Sequence, residues 1–312
     1  MPNAIEITAL GKQYGQITAL QTISATVPKG QVIGLLGHNG AGKSTLIKLI
    51  LGLIAPTTGQ VRVLGEVPWG PHTHPLRRRL GYLPESVAFY GNLTGQEVID
   101  YLASLKHAPR QQSRQLLERV GLGHAAGRRV GGYSKGMRQR LGLAQALLNS
   151  PEIVLLDEPT AGLDPQATRE LYAIVGELRQ AGRCVLISSH LLAELEPHID
   201  GALILREGRL LAAGSLVDLR RQAGLPSIVS VRLNAQADGS ALARELEHMG
   251  VVHEIQPDGR LEILVPEGSK VDVLRSVLGH PVIADVEVRE PTLARLYDWL
   301  GANQRGNAGE MA

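Results

Sequence analysis

The sequence predicts an α/β fold followed by a second, smaller domain. Three observations lead to this prediction. Short apolar runs at 32–36, 153–156 and 184–188 alternate with longer segments of helical periodicity, as in a parallel sheet covered by helices on both faces. The 312 residues exceed the usual length of one domain, which is about 150 residues. The balance of charge also reverses, from 23 basic and 17 acidic residues in 1–220 to 9 basic and 13 acidic residues in 221–312.

A long helical segment interrupts the predicted sheet. After the strand at 32–36 and before the strand at 153–156, apolar residues recur every three or four positions, as at Val98, Tyr101 and Leu105. This spacing places apolar side chains on one face of a helix. We therefore expect a helical subdomain over about 90–150, inserted into a sheet domain that covers residues 1–221.

The remaining residues, 222–312, show a different order of elements. Gly224 and Pro226 mark the boundary, and a turn is predicted at 257–259. A βαββαβ order closed by a final helix is typical of a small α+β domain with the ferredoxin-like arrangement. The predicted strands are 228–233, 251–255, 260–265 and 283–288, and the predicted helices are 240–249, 270–278 and 292–300.

Composition excludes several classes of protein. With 44% hydrophobic and 20% charged residues, the chain has the proportions of a folded protein rather than a disordered one. Its apolar runs are shorter than the ~20 residues that cross a membrane, and the N-terminus, with Glu6, lacks the pattern of an export signal. The single cysteine, Cys184, cannot form an internal disulfide. Because aromatic residues amount to 3% and 222–312 is acidic, we expect no nucleic-acid partner.

The segment 37–44 carries the most specific pattern in the chain. Its sequence, GHNGAGKS, is a G-x4-G-K-[ST] loop that follows an apolar strand and opens a predicted helix. In such a loop backbone N–H groups surround phosphate oxygens, the lysine reaches the β- and γ-phosphates, and the hydroxyl binds Mg²⁺. We therefore predict a nucleotide phosphate site formed by Gly37, His38, Asn39, Gly40, Ala41, Gly42, Lys43, Ser44 and Thr45.

Two adjacent carboxylates follow the strand predicted at 153–156. Ligands of parallel sheets bind at the carboxyl ends of the strands, and Asp157 and Glu158 lie at such an end. Beside a phosphate loop, Asp157 would hold Mg²⁺ and Glu158 would act as the base that polarises the attacking water. Without that loop, the same pair is equally typical of a solvated strand end.

A second anion site is predicted at 134–136. Ser134 is a favoured N-cap residue, and together with Gly136 it opens a helix that extends to about residue 149. The presence of two phosphate sites in one chain suggests that two copies of the chain share a ligand.

In their order along the chain, these motifs resemble those of the ATP-binding subunits of ABC transporters, over residues 1 to about 215. Ser134 and Gly136 match the family pattern Leu-Ser-Gly-Gly-Gln, whereas the residues at 133, 135 and 137 depart from it. This variant is similar to that of subunits that pair with ABC-2-type permeases. The ending at 290–297 is similar to the closing helix of the same group.

The resemblance implies roles for four further residues. Tyr14 stands where the family stacks an aromatic ring on adenine, although a tyrosine there is also compatible with an ordinary core or surface residue. Glu85 stands where the family has a glutamine and implies a contact with Mg²⁺. Asp164 corresponds to the aspartate of the loop that crosses the dimer interface. His190 corresponds to the catalytic switch histidine that contacts the γ-phosphate.

The resemblance also implies an activity and partners. The chain is expected to be an ATPase with ATP and Mg²⁺ as cofactors, to form a homodimer in the ATP state, and to drive a separate integral membrane permease. Its expected location is the cytoplasmic face of the inner (cell) membrane, reached through that permease. The alternative is a soluble ABC ATPase that acts on ribosomes or DNA.

Within the family, the whole-chain pattern is most similar to the ATPase subunit of the nitrous-oxide-reductase maturation transporter. This similarity implies a role in copper-site maturation and, through the permease, a periplasmic accessory protein. No residue of the chain is itself expected to bind copper. His72 and His74 lie in a proline turn without a nearby acid or cysteine, so we expect a surface loop there rather than a metal site.

Overall fold

The structure is a computed structural model that describes residues 3–71, 73–234, 240–256, 260–266 and 268–309. His72 and the turn predicted at 257–259 lie outside the described residues. The chain divides into two compact units, 1–215 and 216–312. The division lies six residues before the boundary expected after residue 221, because the helix that begins at Leu216 belongs to the second unit.

The first unit contains two sheets and the helices that accompany them. Its strands are β1 (Asn3–Tyr14), β2 (Ile17–Pro28), β3 (Val32–Leu36), β4 (Thr58–Val63), β5 (Leu80–Leu83), β6 (Ile153–Asp157), β7 (Cys184–Ser189), β8 (Gly201–Arg206) and β9 (Arg209–Ser215). Its helices are α1 (Lys43–Ile50), α2 (His74–Arg78), α3 (Gly95–Lys106), α4 (Arg110–Arg119), α5 (Lys135–Leu147), α6 (Pro165–Gln180) and α7 (Leu192–Leu195).

The larger sheet has six strands in the order β5-β6-β7-β3-β8-β9. The first five strands are parallel and β9 is antiparallel to β8. Every residue of β3, β6 and β7 is buried, as expected for parallel strands covered on both faces. The three predicted strands and the α/β class are therefore confirmed, and the carboxyl ends of β6, β7 and β3 lie side by side at one edge.

A smaller antiparallel sheet, in the order β2-β1-β4, packs against this core. Its buried side chains, such as Ile5, Leu10 and Ile23, belong to the same apolar cluster as Leu35 of β3 and Leu46 of α1. The start of β2 thereby lies beside the segment that joins β3 to α1, where a Cβ atom on Gly42 would lie 2.5 Å from a methyl group of Leu20.

The helical segment predicted at about 90–150 forms α3, α4 and α5, between β5 and β6. The first of these helices starts with a capping box, in which Thr94 and Glu97 exchange side-chain-to-backbone hydrogen bonds. These bonds lower the pKa of Glu97. The last helix, α5, also packs on the sheet, since a Cβ atom on Gly142 would lie 2.7 Å from a methyl group of Leu83.

The second unit contains α8 (Leu216–Ala223), β10 (Ser227–Leu233), α9 (Ser240–His248), β11 (Val252–Ile255), β12 (Leu261–Val265), α10 (Lys270–Gly279), β13 (Ile283–Arg289) and α11 (Leu293–Gly309). Its four strands pair antiparallel in the order β11-β12-β10-β13. This is the order that the βαββαβ pattern predicts for a ferredoxin-like sheet. A core of its own, which includes Val229, Val231 and Ile263, supports this unit.

Two further observations concern membrane-spanning helices and the single cysteine. Among the described residues, no helix is long and apolar enough to cross a membrane. Cys184 is buried in β7, and this burial raises the pKa of its thiol to about 12, which leaves it without thiolate reactivity near neutral pH.

Candidate functional site

The loop between β3 and α1 requires glycine at defined points. Gly42, the residue before α1, has a φ of 102°, and a Cβ atom there would lie 2.9 Å from the carbonyl oxygen of Ala19. A Cβ atom on Gly37 would lie 2.5 Å from the carbonyl oxygen of Leu205. Only glycine satisfies both the left-handed backbone and the close approach at position 42. The loop therefore holds its backbone N–H groups at the N-terminus of α1, as a phosphate cradle requires.

Lys43 points back into this loop instead of toward solvent. Its ammonium group donates a 2.7 Å hydrogen bond to the carbonyl oxygen of Gly37 and lies 3.4 Å from Oε1 of Glu158. The side chains of Lys43 and Glu158 are 7% and 10% exposed. Charges this well buried are screened little by salt, so the pair is a strong electrostatic element of the site.

Asp157 and Glu158 lie where β6 ends, and both are buried. Glu158 has a φ of 48°, a left-handed conformation that is uncommon for a residue other than glycine. Its Oε2 lies 2.8 Å from Nδ1 of His190, the residue that follows β7. The hydroxyl of Ser188 on β7 donates a 2.6 Å hydrogen bond to Asp157 and accepts a 2.9 Å hydrogen bond from the backbone N–H of Glu158.

Lys43, Asp157 and Glu158 line an open cleft with a volume of about 420 Å³, whereas Gly37, Ser188 and His190 are not among its lining residues. Most of the predicted phosphate and metal residues line it, and so does the segment 17–19 of β2, which sequence reasoning missed. Burial together with the negative charges of Asp157 and Glu85 raises the pKa of Tyr82, beside the cleft, to about 12. The lining residues are Ile17, Thr18, Ala19, His38, Asn39, Gly40, Ala41, Gly42, Lys43, Ser44, Thr45, Glu85, Asp157 and Glu158.

Tyr14 lies at the end of β1 and outside the set of residues that line this cleft. Its side chain is 45% exposed, and the ammonium group of Lys12 lies 5.0 Å from the centre of its ring. The β1–β2 hairpin places Tyr14 opposite Ile17, which does line the cleft. The tyrosine is thus the direct cross-strand neighbour of a residue that lines the cleft.

Ser134 and Asp164 cap two different helices, and neither lines the cleft. Ser134 accepts a hydrogen bond of 3.2 Å from the backbone N–H of Met137, and Asp164 accepts one of 2.8 Å from that of Ala167. The latter bond lowers the pKa of Asp164. Both residues are exposed, so these two helix starts face away from the buried core.

The two helix starts are nevertheless neighbours within the chain. A Cβ atom on Gly136 would lie 3.7 Å from the carbonyl oxygen of Gly162, and one on Gly162 would lie 2.8 Å from the side chain of Lys135. The structure therefore brings the predicted second anion site and the loop before α6 together. It does not bring either of them into the cleft of the same chain.

Sequence reasoning missed two buried polar residues, Gln139 and Ser188. Gln139 on α5 donates a 3.3 Å hydrogen bond to the carbonyl oxygen of Pro159, directly after Glu158. A polar residue among the buried apolar positions of α5 is the sequence feature that could have identified Gln139. No comparable feature marks Ser188, whose neighbour in sequence is also a serine.

Comparison with known proteins agrees with this geometry. A family model described as ABC transporter matches residues 20–161. An ABC transporter ATP-binding protein of Synechocystis is 34% identical over 302 residues, covering 92% of this chain and 84% of that protein. The linearmycin resistance ATP-binding protein LnrL of Bacillus subtilis (strain 168) is 32% identical over 296 residues, covering 92% and 94%. The chain belongs to the ATP-binding subunits of ABC transporters.

A solved structure described as the ATP binding subunit of an ABC transporter also resembles this subunit. It is 32% identical, has a TM-score of 0.67, and the match covers 78% of this chain and 99% of that chain. The ABC subunit is accordingly an ATPase that binds ATP, as expected for an ATP-binding subunit of an ABC transporter. The alternative of a soluble ATPase that acts on ribosomes or DNA is not favoured by these relatives.

The oxygen donors of the ABC subunit fit a magnesium ion. Ser44, Glu85 and Asp157 all line the cleft and offer a hydroxyl and two carboxylates. Mg²⁺ prefers oxygen ligands and keeps several water molecules or substrate phosphates, so it needs only one or two carboxylates from the protein. No cluster of three or more histidine, cysteine, aspartate or glutamate residues that could hold a metal occurs in the part of the chain that the structure describes. His74 is exposed at the start of α2.

Proposed function

We propose that this ABC subunit hydrolyses ATP between two copies of the chain and thereby drives a separate permease. The observation that carries the proposal is the division of the anion-binding elements. The cleft with Lys43 and Glu158 holds one set, whereas Ser134 and Gly136 lie on another exposed part of the same chain. Head-to-tail pairing of two copies would unite the sets around one nucleotide.

In this proposal different residues of the cleft bind the phosphates, bind the metal and accept a proton. Residues 37–45 bind the phosphates, with Lys43 exchanging its contact with Glu158 for phosphate oxygens. Ser44, Asp157 and Glu85 would hold Mg²⁺, which would supply positive charge to the phosphates. Glu158 accepts the proton of the attacking water. His190, hydrogen-bonded to Glu158, orients that carboxylate and contacts the γ-phosphate.

Tyr14 and Asp164 complete the proposed nucleotide site from outside the cleft. Tyr14 is 45% exposed and pairs directly opposite Ile17 in the hairpin. The Lys12 ammonium group lies over one face of the ring, which leaves the other face for stacking on adenine. Asp164 is exposed next to the start of α5, so in a head-to-tail dimer it would meet the opposing copy together with Ser134.

The proposed contact with the permease lies on the helical subdomain. Tyr90, Tyr101 and Leu105 are between 57% and 76% exposed, and the last two are one turn apart on α3. Exposed large apolar side chains grouped in this way mark a surface for another protein. Glu85 links this region to the cleft, because it lines the cleft at the start of the same inserted segment. Binding to the permease would hold the subunit at the cytoplasmic face of the membrane.

The cargo of the permease has two candidates. The role in nitrous-oxide-reductase maturation, with its periplasmic accessory protein, rests on the sequence resemblance alone and remains a prediction. The match to the linearmycin resistance protein LnrL, which extends over 92% of this chain, favours a cargo linked to resistance as the second candidate. In both cases we propose that the accessory domain, expected at 222–312, serves dimerisation or contact with a partner.

The shared-site proposal is tested by Ser134→Arg in a Glu158→Gln background. Loss of the base should trap ATP between two copies, and an arginine at 134 should block the second anion site without touching the cleft. Size-exclusion chromatography with ATP should show a dimer for Glu158→Gln and a monomer for the double variant, while binding of a fluorescent ATP analogue stays unchanged. The control Ser104→Arg places the same side chain on an exposed part of α3 and should leave the dimer intact. An ATP-induced dimer in the double variant would contradict the proposal.

A further inference from the structure

Ser188 occupies a central position between the two acidic residues of the cleft. It is the penultimate residue of β7, is completely buried, and pairs with Asp157 in the register of the neighbouring strand. Its hydroxyl donates to Oδ1 of Asp157 at 2.6 Å and accepts from the backbone N–H of Glu158 at 2.9 Å. One hydroxyl therefore contacts two consecutive residues through both of its hydrogen-bonding functions.

The bond to Glu158 controls the direction of that side chain. Glu158 has a left-handed backbone, with a φ of 48°, and such conformations persist only where the surroundings hold them. The hydrogen bond from its N–H to Ser188 is one such restraint. With this backbone in place, the carboxylate reaches both Lys43 and His190. Without the acceptor, a buried N–H would lose its partner and the residue would relax toward an ordinary conformation.

The bond to Asp157 fixes the orientation of that carboxylate. With Oδ1 held by Ser188, the carboxylate would present its remaining lone pairs to Mg²⁺ in one orientation. Groups that hydrogen-bond to a metal ligand fix its orientation, and their removal typically lowers metal affinity or activity about 10- to 100-fold. The short O–H···O distance indicates a charge-assisted bond, which is stronger than one between neutral groups.

We propose that Ser188 is a positioning residue that aligns Asp157 for Mg²⁺ and Glu158 for the attacking water. The inference rests on the proposed function, because it assigns Ser188 a role only through those two carboxylates. It predicts that both the response to Mg²⁺ and the rate of hydrolysis depend on a hydroxyl at this position. ATP binding in the absence of Mg²⁺ should not depend on it, because the hydroxyl of Ser188 bonds to Asp157 and Glu158, which are not predicted phosphate ligands.

The test compares Ser188→Ala with Ser188→Thr, which keeps the hydroxyl. We expect Ser188→Ala to lower turnover about 10- to 100-fold and to reduce the gain in affinity that Mg²⁺ gives an N-methylanthraniloyl ATP analogue, with affinity in EDTA within twofold of wild type. Ser188→Thr should restore most of both properties. Ser113→Ala is the matched control, because Ser113 is also completely buried but its hydroxyl has no hydrogen-bond partner among the residues that the structure describes.

A double-mutant cycle keeps the proposal falsifiable if Ser188→Ala also loses stability. Saturating Mg²⁺ removes the effect that passes through Asp157. Under that condition, adding Ser188→Ala to Glu158→Gln should lower turnover by less than threefold more, because the remaining effect passes through Glu158. Multiplication of the two separate losses would overturn the inference, and so would a Ser188→Ala variant with wild-type turnover and Mg²⁺ response. Wild-type turnover in Glu158→Gln alone would instead overturn the proposed function, so the two failures are distinguishable.

Discussion

Replacing Glu158 by glutamine tests catalysis and electrostatics at once. The change keeps the size of the side chain but removes the proposed base and the negative charge that faces Lys43 at 3.4 Å. The glutamine amide can still bond to His190, which lies 2.8 Å from Oε2 in the wild type. The phosphate ligands of the loop are untouched. Hydrolysis should therefore fail while ATP binding persists.

The expected magnitudes follow from these distances. Loss of a general base lowers turnover by about 10²- to 10⁴-fold, which corresponds to about 3–5 kcal/mol of barrier. At an effective dielectric constant of 20, charges 3.4 Å apart attract by about 5 kcal/mol. Removing one partner of a buried ion pair destabilises a protein by about 3–5 kcal/mol, because the other charge is left uncompensated. The Tm without nucleotide should thus fall by about 10 °C, at 2–4 °C per kcal/mol for a domain of this size.

Nucleotide phosphates should compensate for the missing carboxylate. ATP should therefore raise the Tm of Glu158→Gln by more than it raises that of the wild type. The assay combines phosphate release with thermal unfolding, with and without ATP. Glu118→Gln is the control, because it makes the same change in an exposed pair with Arg114, where less than about 1 kcal/mol is at stake. Turnover within tenfold of the wild type, or equal Tm shifts on ATP addition, would refute the reasoning.

Two further predictions concern stability and domain organisation. Burial lowers the pKa of Lys106 to about 8 in the folded state, whereas the exposed lysine of the unfolded state has a pKa of about 10.5. Below pH 8 the folded state therefore carries a buried charge that destabilises it. This penalty is about 3 kcal/mol and disappears as the pH rises from 8 to 10.5, so Lys106→Met should raise the urea midpoint at pH 7 and change it little near pH 11. A chain that ends at Ser215 should fold and keep its affinity for the fluorescent ATP analogue, because every residue that lines the cleft precedes the cut. A folded 1–215 fragment that fails to bind the analogue would contradict a separable second domain.

Residues that act through local sequence were predictable, and those that act through strand register were not. The phosphate loop is contiguous, so its glycines and Lys43 carry the whole pattern within nine positions. Ser188 meets Asp157 only because β6 and β7 pair in one particular register, across 31 positions of sequence. The periodicity of one sequence does not determine the register between two strands. The contact of Ser188 with Asp157 could therefore not be predicted from the sequence.

The domain boundary shows the same limit in another form. The composition of the chain changes at about residue 222, whereas the compact unit begins at Leu216. The helix α8 carries two arginines in its last turn, so by charge it resembles the basic first unit although it packs with the second. Counting charges reports on exposed side chains, whereas the unit to which a helix belongs depends on where its apolar side chains pack. The charge count therefore placed the boundary a few residues after the start of the compact unit.

The hydrogen bond from Gln139 to Pro159 has a consequence for cooperativity. Helix α5 starts at the cap that would face the opposite copy. Gln139 lies within its second turn and bonds to Pro159, directly after the proposed base, Glu158. In a head-to-tail dimer, each chain would thus connect the γ-phosphate of one nucleotide with the base that acts on the other. A shift of α5 on hydrolysis of one nucleotide would therefore reach the segment beside Glu158, so the two nucleotides would not be hydrolysed independently.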